Sequence, residues 1–481
     1  MYKICMAKLL PAEIKFCEHT ARTAFANPFD EGYEKTYRSI RAACPGHMAA
    51  IERRGLGELR RFTGAQRAIM RTVFLFDVYL RFREALDESV CAQVAAGEAP
   101  IAIPCARELL ALLARRGFPE EEALRVFAIL FQIRRAHHFI VEGLIGRSAC
   151  MREFRRHLWN NVFTCDLHQY EQGLWSRLED FSTLLLGETG TGKGTAAAAI
   201  GRSGFIPFDP AKGRFVDSFT RSFVSINLSQ FPETLIESEL FGHRKGAFTG
   251  AVEAHEGVFA RCSPHGAIFL DEIGEVSAPV QIKLLRVLQE RVFSPVGSHE
   301  QGRFRGRIIA ATNRTLAAAR GPGGFRDDFF YRLSSDIITV PPLRQRLRED
   351  EDELESLLTH ILTRDAGPAA ATLQPIARAG LRPLLRGNYE WPGNVRELEQ
   401  AVRRILLTRS YGAEPADSAS SADRAAQLAA AIHAGTLDAA SLLSRYCTLL
   451  YERSGNLEEV ARRTQLDRRT VKRYLRQQAN A

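Results

Sequence analysis

Apolar positions along this chain change period twice. Up to about residue 143 they recur at helical spacing. In GAQRAIMRTVFLFDVYLRFREAL, residues 64–86, Ile69, Val73, Phe76 and Leu80 share one face, and Thr63 stands where a helix cap belongs. Pro104 and Pro119 sit where first helical turns would begin, and Gly117 where a helix would end. The run VFAILF, 126–131, is apolar on every side and predicts a buried helix. From about 144, short apolar runs (TLLLG, FVSIN, AIFLD, RIIAATN) alternate with helix-length amphipathic segments. That alternation predicts an α/β fold, a parallel sheet covered by helices on both faces. Helical spacing returns over 346–410. YGAEPADSASSADRAAQ is small and polar like a linker, and a helical tail follows from about 438. The expected organisation is therefore a mainly helical domain at 1–143, an α/β core at 144–345, a helical lid at 346–410, a linker at 411–437 and a small helical domain at 438–481.

Composition adds little to this. A chain of 481 residues exceeds one ordinary core, and 45% hydrophobic with 25% charged residues is a globular balance. The net charge of +9 leans toward a nucleic-acid partner. Nine cysteines, an odd number, show no C-x-x-C spacing, which argues against structural disulfides or a zinc knuckle and fits a reducing compartment. The first residues lack a cleavable leader pattern, and no apolar run is long enough to span a bilayer; the expectation is a cytoplasmic protein with no membrane partner.

Chemistry enters at LLLGETGTGKGT, 184–195, an apolar strand, a glycine-rich loop and an alanine-rich helix. Gly187, Gly190, Gly192 and Lys193 match a P-loop core, whose backbone N–H groups turn inward around phosphates at the positive end of a helix. Glu188, Thr189 and Thr191 complete the loop, and Lys193 would reach the β and γ phosphates of ATP. Gly194 stands where ordinary P-loops carry Ser or Thr. Thr195, one position late, is the candidate hydroxyl ligand for Mg²⁺. In AIFLDEIGE, 267–275, a buried strand ends on Asp271 and Glu272. Asp271 would hold Mg²⁺ through water, and Glu272 would polarise the attacking water. Asn313, ending another strand, would orient the γ-phosphate or that water. Arg326 and Arg332 in GFRDDFFYRLS could serve a neighbouring subunit's nucleotide, which would require a ring, or be two surface arginines. In WPGNVRELEQAV, Asn394 is placed as an N-cap. Arg396 falls in the first helical turn, where a cation opposes the helix dipole; that suggests a phosphate ligand.

These motifs occur in a fixed order with ESELFGHRKGAFTGA between them. The chain resembles the bacterial sigma-54-dependent transcriptional activators, or enhancer-binding proteins, of the AAA+ class, over about residues 144–410. The resemblance implies an AAA+ P-loop sheet with a helical lid, a hexameric homo-oligomer hydrolysing ATP between subunits, and the sigma-54 RNA polymerase holoenzyme as partner. The loop Gly246, Ala247, Phe248, Thr249, Gly250 and Ala251 would contact sigma-54 and drive the closed complex to the open one, with Phe248 as the contact tip. By the same likeness Asn227 would pair with Glu272 and couple nucleotide state to the loop, Arg326 and Arg332 would act in trans, and Arg396 would be the lid arginine. The chain departs from the family at Gly194, where Glu is usual, and at Arg244. The segments 164–182 and 203–222 are longer than expected.

GNLEEVARRTQLDRRTVKRYLRQ, 455–477, reads as a helix-turn-helix resembling the Fis-type module that ends many family members. Ala461 is the small crossing residue, Leu466, Val471 and Leu475 face inward, and Asp467 caps the second helix. Gln465 takes a turn position that often needs positive φ. Arg468, Arg469, Thr470, Lys472 and Arg473 are the candidate contacts to double-stranded upstream DNA. Residues 441–481 hold nine Lys or Arg against four Asp or Glu. Residues 1–143 lack the acidic pair and later phosphoacceptor Asp of a receiver domain. Their place ahead of the ATPase suggests a helical regulatory domain controlling ring assembly. His137 and His138, adjacent on a helix, would point about 100° apart and make a poor metal pair. Two other readings stay open: a DNA-binding regulator with a degenerate ATPase, and an AAA+ remodeller of another protein.

Overall fold

The computed structural model describes residues 9–321, 324–386, 389–409, 428–429, 431–432, 438–454 and 456–479. The linker expected at 411–437 lies almost wholly outside them. Two compact units divide at Leu407/Thr408.

The first unit opens with helices α1 (Pro11–Thr23), α2 (Tyr33–Arg53), α3 (Gly64–Ala96), α4 (Ala106–Arg115) and α5 (Glu120–Ala136). Thr63 occupies the position before α3, but its hydroxyl makes no capping bond. Pro119 stands one residue before α5, and Gly117 takes the left-handed conformation just past α4 (φ +84°). The apolar run 126–131 is buried throughout, as its pattern predicts. After α5 the chain makes a π-helical turn, His137–Glu142. There a residue five positions on comes round to the same face, which brings His137 Nδ1 to 3.3 Å from Glu142, while His138 Nδ1 lies 3.5 Å from the same carboxylate at the ordinary i,i+4 spacing. Helices α6 (Ala149–Phe163) and α7 (Leu167–Gln172) lead into the sheet.

The sheet has five parallel strands, in the order β4 (Phe223–Asn227), β5 (Ala267–Asp271), β8 (Arg307–Thr312), β1 (Thr183–Leu186), β9 (Asp336–Thr339). Two small hairpins stand apart, β2 (Phe208–Asp209) with β3 (Arg214–Phe215), and β6 (Val292–Phe293) with β7 (Gly302–Arg303). Four of the five sheet strands are those the apolar runs predict, and β9 is the fifth. Helix α8 (Lys193–Gly201) follows β1. Helices α9 (Glu233–Phe241), α10 (Val258–Arg261), α11 (Ala278–Glu290), α12 (Leu316–Arg320) and α13 (Asp327–Leu333) complete the α/β part. The lid is α14 (Leu343–Glu349), α15 (Glu353–Ala366), α16 (Ala370–Arg386) and α17 (Asn394–Thr408).

Side chains alternate across the pleat, and the two faces build different cores. Leu184, Ile268, Leu270, Ile308 and Ala310 point to the face covered by α9, α11 and α13. Leu185, Phe269, Ile309, Ala311 and Ile338 point to the face covered by α8. That second core does not stop at the α/β part. It runs on through α8 and α6 into α5, α3 and α1 as one buried cluster from Leu9 to Val340. Both long segments flagged in the sequence belong to this junction. Hairpin β2–β3 sets Phe208 edge-on to Phe127 and stacks Phe215 on Phe127 and Phe131. Tyr170 of α7, fully buried, donates its hydroxyl to Gln132 at 2.9 Å.

Among the described residues the second unit has helices Ala439–Ser454, Leu457–Thr464 and Arg468–Ala479. They close over Cys447, Leu450, Val460 and Val471, with Ala461, Leu466 and Leu475 packed alongside.

Candidate nucleotide site and remodelling loop

Parallel strands aim their carboxyl ends at one edge of the sheet, and the chemistry collects there. β1 delivers the P-loop, β5 delivers Asp271 and Glu272, and β4 delivers Asn227 in register with Asp271. A cleft of about 550 Å³ is lined by Thr189 to Thr195, Asn227, Asp271, Glu272 and Arg396.

Gly192 adopts φ +101° before α8, a conformation open to glycine. Gly190 is tight for another reason: a Cβ there would lie 2.2 Å from the carbonyl of Gly393 in the lid. Lys193 is the first residue of α8 and only 7% exposed. Its ammonium donates to the carbonyls of Gly187 (2.8 Å) and Glu188 (3.1 Å). Burial pulls its pKa down; Glu272 and Asp271 oppose that, and Arg396 adds to it. Glu272 sits in the left-handed region (φ 54°) at the end of β5, an uncommon backbone for a side chain of that length, and functional sites are where such strain collects. Gly194 has open space: an added Cβ would touch only Phe269, at 3.8 Å. Thr195 is exposed in the cleft one turn into α8.

Several expected groups are placed otherwise. The Glu188 carboxylate turns away to the lid, pairing with Arg344 and accepting from Asn394 Nδ2 at 3.1 Å; the Arg344 hydrogen bond holds it below the usual carboxylate range. Asn394 does not cap α17 with its side chain. It is fully buried with φ 53°, accepts from Leu343 N (2.8 Å) and donates to Thr189 O (3.1 Å), joining lid to P-loop. Glu397 caps instead, accepting from Gly393 N at 2.8 Å. Among the described residues no hydrogen bond joins Asn227 to Glu272. Asn227 Oδ1 accepts from Ser229 N (3.0 Å), capping the short 3₁₀ turn after β4. Asn313 is exposed and outside the cleft lining. Arg326 stands at the N-cap of α13 and Arg332 in its last turn, both exposed on the surface, with Arg326 bridged to Asp328.

Reading by motif also missed one wall. Leu144, Ile145, Met151, Phe154 and Leu357 give the cleft an apolar side suited to a nucleobase. Arg346 and Glu353 fasten it: Arg346 Nη2 donates to Ile145 O (2.7 Å), and Glu353, fully buried, accepts from Arg147 N (2.6 Å) and Arg346 Nε (2.6 Å). An unusually apolar GLI beside a Gly-Arg-Ser turn was the only signal in the sequence. Among the described residues no group of three or more His, Cys, Asp or Glu is placed to hold a metal ion.

The GAFTGA loop leaves α9. His243 pairs with His255, Arg244 N donates to Val296 O (3.1 Å), and Gly246 N donates to Ala251 O (2.8 Å). Gly246 and Gly250 both have positive φ (80° and 103°). Thr249 and Gly250 are exposed, Ala247 is half-buried and Ala251 is buried. Phe248, expected at the tip, is half-buried with its ring edge-on to His243, 4.9 Å between centroids. Water disfavours the bare ring, and the neighbouring imidazole supplies a face. Arg244 meets Glu300 at 2.6 Å, tying the loop to the β6–β7 hairpin.

The sequence matches the Sigma-54 interaction domain over residues 168–339 and the AAA+ ATPase lid domain over 348–417. The chain belongs to the sigma-54-dependent activator family. Curated relatives of this activator-family chain include a Nif-specific regulatory protein of Azotobacter vinelandii, 42% identical over 48% of this chain and 40% of that one. The Nif-specific regulatory protein of Klebsiella pneumoniae is 40% identical over 57% and 46%, and the regulatory protein AtoC of Escherichia coli is 41% identical over 48% and 46%. The chain thus matches less than half the length of these relatives. Among solved structures, NtrX from Brucella abortus in complex with ATP superposes with a TM-score of 0.42 at 24% identity, covering 78% of this chain and 80% of that one. Among the described residues no helix is long and apolar enough to cross a membrane.

In the second unit, Asp467 Oδ1 accepts from Arg469 N (2.8 Å) and Thr470 N (3.0 Å), so it caps the last helix, and Gln465 has φ 55°. Thr470 gives its hydroxyl to Asp467 (2.6 Å), a capping role rather than a free contact. Arg468, Arg469, Lys472 and Arg473 are exposed, with Arg468 bridged to Glu458 at 3.0 Å.

Proposed function

We propose that this chain is an ATP-driven activator that remodels the sigma-54 RNA polymerase closed complex while its tail holds upstream double-stranded DNA. The observation that carries the reading is one cleft uniting Lys193, Asp271, Glu272 and Arg396, with α9 running from beside Asn227 into the GAFTGA loop.

The donor set fits ATP with Mg²⁺. Backbone N–H groups at the start of α8 and the Lys193 ammonium would take the phosphates, Thr195 and Asp271 would hold the metal ion, and the apolar wall would take the base. Bound ATP supplies the phosphoanhydride whose hydrolysis drives the work. Lys193 would exchange its two loop carbonyls for phosphate oxygens. Glu272 would accept the proton of the attacking water. Arg396 would close the lid over the charge, and Arg326 and Arg332 would reach the site of the next subunit in a hexamer. Asn227 would leave Ser229 for Glu272 as the phosphate changes, and α9 would carry that movement to the loop, freeing Phe248 from His243 to meet sigma-54. Arg468, Arg469, Lys472 and Arg473 would enter a major groove.

Phosphate release and open-complex formation on supercoiled template test this together. Lys193→Ala is expected to lower turnover by about 100-fold or more. Phe248→Ala is expected to keep turnover and lose promoter opening. Normal turnover in Lys193→Ala refutes the site; loss of both activities in Phe248→Ala makes the loop a structural element.

A further inference from the structure

The P-loop helix α8 has two ends, and only one faces the cleft. Its nine residues make a rod about 13 Å long, with Lys193 first and Gly201 last. Past its far end the chain turns through Arg202, Ser203 and Gly204, and two fully buried side chains of α5 bond the carbonyls of that turn. Gln132 Nε2 donates to Ser203 O at 2.8 Å while its own Oε1 accepts from the Tyr170 hydroxyl. Arg135 donates to Arg202 O (3.2 Å) and Gly204 O (2.7 Å), between the rings of Phe131 and Phe219 at 5.5 and 5.4 Å. A cation there complements the negative end of the helix dipole. A buried guanidinium is an expensive way to fill space, since an apolar residue of similar volume does so at least as well. What it adds is direction: a planar fork on two carbonyls fixes where the helix ends.

We infer that Gln132 and Arg135 are positioning residues for the ATP site, so that the N-terminal helices set the placement of Lys193 through α8. The inference rests on the ATP-binding reading above. Coupling of this kind is reciprocal: nucleotide at Lys193 must also steady α5.

The test uses the full chain. Arg135→Met keeps the volume and removes the fork. It is expected to lower kcat/KM for ATP about 10-fold, well beyond what Val73→Ala shows for the same loss of melting midpoint, and Arg135→Lys to recover part of it. Val73→Ala, in α3 away from α8, is the control: it lowers the midpoint and leaves kcat/KM alone. The inference is overturned if Arg135→Met stays within about twofold of wild type, or falls only as far as Val73→Ala at matched stability. Should Arg135→Met not fold, hydrogen exchange on the wild type decides. ATP is expected to slow exchange across residues 126–136 in the wild type and not in Lys193→Ala; no slowing sinks the idea. Wild type that turns over ATP, with Lys193→Ala inactive and Arg135→Met normal, removes this inference alone. Wild type that neither binds nor hydrolyses ATP removes the function reading as well.

Discussion

In sequence the α/β core has helices before and after it, yet the two flanks are built on different terms. Among the described residues α1, α3 and α5 share one buried cluster with a face of the sheet. The three described tail helices close over Cys447, Leu450, Val460 and Val471, a small core of tail residues. Shared cores fold and unfold together, while separate ones do not have to. Position in the chain therefore says little about autonomy. The front segment looks like an add-on domain and is part of the first compact unit.

The largest expected effect is a pair of truncations. Removing residues 1–143 uncovers the apolar outer sides of α8 and α6, which continue the buried cluster into α5 and α3, so the remainder is expected to aggregate with no turnover. Removing 411–481 should leave ATP turnover and the main unfolding transition intact. A folded, active chain lacking 1–143 would break the comparison outright. Next, Phe127→Ala removes a fully buried ring shared by α5 and the β2–β3 hairpin. It is expected to cost about 3–5 kcal/mol in the transition that also abolishes ATP turnover, read by denaturant unfolding with activity as one probe. If fluorescence and activity midpoints separate, the two regions are not one cooperative body. Smaller still, Val471→Ala should cost the tail about 2 kcal/mol and shift only a minor transition, with DNA binding weakened and hydrolysis untouched. The smallest effect is expected from Glu300→Ala. It removes the exposed partner of Arg244 and should leave every unfolding midpoint where it was, because solvent already screens the pair.

The sequence is most readable where backbone geometry leaves one chemical solution. Gly192 with its φ of +101°, Lys193 opening α8, the carboxylates ending β5 and Asp467 capping the last helix are local, and local pattern finds them. What escaped it is contact across long separation. Glu188 sits among P-loop residues but pairs with Arg344 in the lid, and Asn394 looks like a cap but bridges Leu343 and Thr189. Phe248 reads as an exposed tip until His243 is seen to cover it. The clearest missed signal was FQIRRA: Gln132 and Arg135 inside a helix buried on all sides have to be answered by something, and the answer lies some 70 residues on, at Arg202 to Gly204.

The two extended segments, 164–182 and 203–222, bear on any attempt to build hybrids. Tyr170 and the Phe208–Phe215 hairpin are moulded to α5. A chimera spliced at residue 143 alone would seat a foreign sensor on a socket cut for another shape. A working transplant has to carry all three pieces of chain as a single graft.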